Sequence, residues 1–143
     1  MKSLVACLVG LGMVSGVLAA PKVELTVAAF PAVDEIVKLA AKEWERKHPE
    51  VKIKVVGRAY ADHHTAMTTA LATSSDLPDI MAIEYGYLGR FAQSGGLEDL
   101  NQAAYGVKPA LKQFVPYAVA QGFQEGFGQM ALPTDIGPGA LFY

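Results

Sequence analysis

The sequence predicts an α/β fold, a mostly parallel sheet with helices on both faces. Two observations carry that expectation. Strand-like and helix-like segments alternate from residue 23 to residue 96, in the order strand, helix, strand, helix, strand, helix. The strand segments are also too apolar to leave one face in water, so the sheet is expected to be covered on both sides.

The first strand, residues 23–30, starts as apolar residues alternating with polar ones and ends as the apolar run Val27-Ala28-Ala29-Phe30. After Pro31, Val33, Ile36, Val37, Ala40, Ala41 and Trp44 recur at helical spacing, with Glu35, Lys38, Lys42, Glu45 and Arg46 mostly opposite. His48-Pro49 stops that helix. Residues 51–56 alternate as a second strand closed by Gly57. A second helix is expected over 63–73, with Asp62 as N-cap and Met67, Ala70 and Leu71 facing inward. A loop at 74–78 leads to a short third strand at 79–83, and Leu88, Phe91 and Ala92 mark a helix ended by Gly95-Gly96. Residues 109–121 read as helical but broken at Pro116. A turn at Gln124-Glu125-Gly126 precedes a strand at 127–132, and residues 140–143 begin another. Ligands of parallel sheets bind beyond the carboxyl ends of the strands, which here means the segments after Ala29, Val56 and Ile83.

Of the 143 residues, 52% are hydrophobic and the formal net charge is −2, from 12 Lys+Arg and 14 Asp+Glu. This excludes a disordered tail and a nucleic-acid binder that works by bulk positive charge. Lys2 is the sole charge before Lys22, and an apolar run from Leu4 to Leu18 ends in the small residues Ala19-Ala20. Residues 1–19 are therefore read as a secretory signal peptide cleaved after Ala19, which leaves 124 of the 143 residues. The alternative is a membrane anchor, for which the run is marginal against ~30 Å of hydrocarbon. Cys7, the single cysteine, falls inside the leader, and its likeness to a lipoprotein processing box is read as accidental. The mature chain then has no thiol nucleophile, disulfide or cysteine metal site.

Several segments match a known pattern in order and spacing. They are Ala40-Ala41-Lys42-Glu43-Trp44-Glu45 ending at His48-Pro49, Leu77-Pro78-Asp79-Ile80, Phe91-Ala92-Gln93-Ser94-Gly95-Gly96-Leu97 and Leu132-Pro133-Thr134-Asp135. Together, behind a signal peptide, they resemble the family 1 extracellular solute-binding proteins, the capture components of ABC importers. The resemblance implies a periplasmic-binding-protein-like fold of two α/β lobes around a cleft. It divides this chain into a leader (1–19), an N-terminal lobe (20–132) and the start of a crossover (133–143), with the second lobe missing. It further implies an exported, periplasmic or extracellular protein that captures a mono- or oligosaccharide, delivers it to the transmembrane subunits of a permease and is monomeric when complete. No cofactor, metal or nucleic acid is expected.

Candidate site residues follow from topology and chemistry. A sugar needs flat apolar faces for its C–H side, and carboxylates or amides to orient its hydroxyls. Glu84, Tyr85 and Tyr87 follow the third strand and supply both, Glu84 as hydroxyl acceptor and a tyrosine as stacking face. The competing reading is that one tyrosine packs on the sheet and Glu84 caps the next helix. Thr134 and Asp135 match the crossover along the cleft floor, or else form a turn beside Pro133. Phe30 after the first strand, and Arg58 and Tyr60 after the second, are placed by topology alone. His63-His64 beside Asp62 invites a metal reading, but adjacent helical residues diverge by about 100°, so a solvated or capping role is expected. There is no nucleophile motif, zinc motif, phosphate loop or suitably spaced pair of carboxylates, which argues against an enzyme. Two alternatives to sugar capture are a ferric or other small-solute site in the same fold and a small exported carbohydrate-active enzyme. For the leading reading, the isolated 124-residue lobe is expected to bind sugars weakly or not at all.

Overall fold

The computed structural model describes residues 23–135 and 137. The leader with Cys7 and the strand expected at 140–143 lie outside the described residues. The chain runs β1 (Val23–Ala29), α1 (Val33–Lys47), β2 (Val51–Gly57), α2 (Tyr60–Thr73), β3 (Ile80–Met81) and α3 (Tyr85–Gln93). Two short helices, α4 (Lys108–Leu111) and α5 (Pro116–Gln121), then lead to a hairpin of β4 (Phe123–Gln124) and β5 (Gly128–Gln129).

The three main strands form a parallel sheet in the order β2-β1-β3, with Val23 to Ala29 paired residue by residue to Val51 to Gly57. β3 joins only through Val27↔Ile80 and Ala28↔Met81. Just below that ladder the Asp79 carboxylate accepts the Thr26 N–H at 2.7 Å, which fixes where the short strand starts. The crossovers β1-α1-β2 and β2-α2-β3 run in opposite directions along the sheet. Since such crossovers are right-handed, α1 and α2 lie on opposite faces, as the sequence predicts. The order reverses at β1, so a crevice opens at the carboxyl ends of β1 and β3.

The core forms where the apolar end of β1 meets the helices. Ala28, Met67, Leu71 and Phe91 pack together, with Met81, Ile83, Tyr87 and Leu97 around them. Leu88, Ala92 and Met130 extend it toward the hairpin through Ile83 and Leu97.

Several boundaries differ from expectation. α2 starts at Tyr60 with Ala59 as N-cap and no side-chain cap, so Asp62 sits in the first turn, where its charge complements the helix dipole, instead of capping. The strand expected over 127–132 reduces to Gly128–Gln129, the length that the two-residue β4 can pair. Pro116 begins α5 at its first turn, where its missing N–H costs nothing, so the expected break is an interruption of four residues. α1 keeps its predicted span but is rotated. Ala41 is buried, whereas Ile36 and Trp44 are 62% and 51% exposed. The orientation is set by Glu45, which reaches across to accept the Ile53 N–H at 2.7 Å and the Lys52 ammonium at 2.7 Å.

Candidate functional site

Phe30 follows β1, Tyr60 opens α2 and Glu84 caps α3, so the β1–β3 crevice gathers side chains from three connections. The Phe30 and Tyr60 rings meet edge to face at 5.4 Å. Tyr60 lies 6.4 Å from Tyr87, and Tyr87 stacks on His64 at 4.1 Å and 22°. The Arg90 guanidinium sits 5.1 Å from the Tyr87 ring centre. The result is an aromatic platform with one carboxylate. Partial burial, and then the charge and hydrogen bonding of the Glu84 carboxylate, push the Tyr60 phenol above its usual range. Tyr60 therefore stays a neutral phenol beside the Glu84 carboxylate.

Glu84 also accepts the Gly86 N–H at 2.8 Å through Oε2, so the capping role is real. A capping carboxylate keeps further lone pairs, and hydroxyl acceptance remains open to it. Tyr85 and Tyr87 are two residues apart on α3, about 200° around the helix, and diverge. Tyr87 enters the platform, while Tyr85, 60% exposed, lines a separate groove of about 110 Å³. Thr134 and Asp135 line the same groove with Leu88, Gln121 and Gly122. It is small beside the ~300–1,000 Å³ of ordinary ligand pockets, so it serves as a wall and not as an enclosure. Arg58 is exposed at the end of β2, its N–H continuing the ladder to the Ala29 carbonyl at 3.0 Å.

The two histidines correct the sequence reading. They are neither solvated nor capping, with exposures of 0% for His63 and 1% for His64. His63 Nε2 donates to the Ala82 carbonyl at 2.7 Å, and its Nδ1 is buried without a partner. Burial holds its pKa below the ordinary value, opposed by the Ala82 hydrogen bond and reinforced by His64 and Arg58. His64 Nδ1 donates to the Tyr60 carbonyl at 2.8 Å, and Nε2 accepts the Glu84 N–H at 3.2 Å. The signal for this burial was present: 63, 64, 67, 70 and 71 form one helical stripe with the residues expected inward. Gln121 and Gly122 carried no such signal. Among the described residues, no group of three or more His, Cys, Asp or Glu could hold a metal ion.

The profile of bacterial extracellular solute-binding proteins matches residues 30–143. The chain belongs to this family. A family 1 extracellular solute-binding protein from Alicyclobacillus acidocaldarius superposes with a TM-score of 0.63 at 27% identity, over 78% of this chain and 28% of that one. An ABC substrate-binding protein from Listeria monocytogenes, in complex with cycloalternan, gives 0.64 at 25% identity, over 75% and 28%. The GacH receptor of Streptomyces glaucescens, solved unliganded and with acarbose, shares the fold at 0.63 and 23% identity, over 75% and 28%. The chain thus spans a little over a quarter of the length of these relatives. Its α/β sheet is a partial lobe of the periplasmic-binding-protein fold. Among its described residues no helix is long and apolar enough to cross a membrane.

Proposed function

We propose that the chain forms one wall of a carbohydrate site in the exported capture component of an ABC importer, which hands its solute unchanged to the permease subunits. The single observation that carries this reading is the aromatic platform of Phe30, Tyr60 and Tyr87 with the Glu84 carboxylate, at the point where the strand order of a parallel sheet reverses. Rings of this kind take the C–H face of a pyranose, and Glu84 with the Tyr60 hydroxyl addresses its hydroxyls. Tyr85, Thr134 and Asp135 in the separate groove, and Arg58 at the end of β2, are the site's outlying candidate contacts. The bound complex of the Listeria relative supports a saccharide as ligand class.

A single open wall leaves most of a sugar in water, so affinity is expected at or weaker than about 1 mM, near −4 kcal/mol. Saturation-transfer NMR with cycloalternan, maltotriose and acarbose, followed by product analysis, tests this. The expected result is weak transfer to at least one saccharide, lost in Tyr87→Ala, with the sugar recovered intact. Glycosidic cleavage, or transfer unaffected in both Tyr87→Ala and Tyr60→Ala, would refute it.

A further inference from the structure

The hydrogen bonds of His64 leave its ring one neutral form. A carbonyl can only accept, so Nδ1 carries the proton toward Tyr60, and Nε2 must present its lone pair to the Glu84 N–H. The ring face simultaneously stacks on Tyr87, and its centroid lies 5.2 Å from that of Phe30, the two rings tilted by 37°. One buried imidazole therefore touches four of the residues that make up the platform: Phe30, Tyr60, Glu84 and Tyr87.

We propose that His64 is the positioning residue of this platform, its Nδ1–H tautomer holding Glu84 and Tyr87 in place. The inference rests on the reading of the platform as a saccharide wall. A second proton would set an Nε2–H against the Glu84 N–H, replacing an attraction with a clash of two donors and releasing the start of α3. The titratable groups against the ring are Tyr60 and His63 on α2, and Glu84 and Tyr87 at α3. His63 is bound differently, with Nε2–H to Ala82, so the adjacent rings hold opposite tautomers. They can be told apart by ¹⁵N spectroscopy.

The experiment uses the full chain, ¹⁵N-labelled, with maltotriose and cycloalternan as probes. The expected signature is an unprotonated Nε2 at His64 and a coupling across the hydrogen bond between it and the Glu84 amide nitrogen. His64→Phe keeps a stacking ring but no acceptor, and should bind about tenfold more weakly than the parent at pH 7.5. His64→Gln restores an acceptor, and should stay within about threefold of the parent. Binding by His64→Phe equal to the parent, binding by His64→Gln as weak as that of His64→Phe, or a protonated Nε2 in the native chain would each overturn the proposal. A Glu84–His64 coupling accompanied by no saccharide-induced shift at any pH would overturn the platform reading and this role with it. Saccharide shifts without the coupling would overturn the role of His64 alone.

Discussion

His63 is buried with one ring nitrogen satisfied and the other without a partner, an arrangement that favours the neutral ring. Its folded pKa is depressed by burial, so the unfolded chain binds the extra proton first as pH falls. Its contribution to stability is complete above the ordinary value of 6.5 and is lost as pH falls through the lower, folded value. The salt-bridged carboxylates act in a more acidic window. Asp34 is lowered by its hydrogen bond to Lys38 and Glu45 by that to Lys52, so both contribute above their ordinary 3.8 and 4.5 and fade below. Chemical denaturation from pH 7.5 to pH 5.5 should show stability falling above the window in which Asp34 and Glu45 act. The slope over that range should be reduced in His63→Gln, and an identical slope in both chains would contradict this account of His63.

At the scale of elements, the hairpin that backs the groove depends on two glycines. Gly128 has φ 106, and a Cβ there would collide with the Asp99 carboxylate. That carboxylate already accepts the Gln129 and Asn101 N–H groups at 2.9 and 3.0 Å. Gly122 is as confined, because its added Cβ would meet the Ala131 carbonyl, while its own carbonyl takes the Met130 and Ala131 N–H groups. Gly128→Ala is expected to cost more than about 2 kcal/mol in a urea titration. A loss below 0.5 kcal/mol, on the order of an ordinary surface change, would show that the hairpin does not need this geometry. Neither constraint was legible in the sequence, where Gly128 stands in a segment read as strand and Gly122 falls between the helical segment and the turn. The parallel strands were legible because apolar runs and helical stripes depend on local spacing. The rotation of α1 was not, since Ile36 and Trp44 share a stripe with Ala41, and the grip of Glu45 on β2 that goes with the observed orientation is long-range.

For the whole molecule, the alternation of elements was enough to place Phe30, Tyr60 and Glu84 at one end of the sheet before any coordinates. The strand order β2-β1-β3 then brings the Phe30 and Glu84 connections side by side, whereas Arg58 stands at the end of the edge strand. The same geometry parts Tyr85 from Tyr87, a division that follows from helical rotation and from where the hairpin packs. Residues that join the groove only through tertiary folding, such as Gln121, have no local motif to announce them. The central claim is that the carboxyl ends of β1 and β3 form a saccharide wall. Its most direct measurement is a map of saccharide-induced chemical-shift changes over the aromatic and amide resonances of this chain. The predicted map is centred on Phe30, Tyr60, Glu84 and Tyr87 and spreads to Tyr85 and Thr134. Changes confined to other surfaces, such as the exposed face of α1, or no change up to the solubility of the sugar, would contradict it.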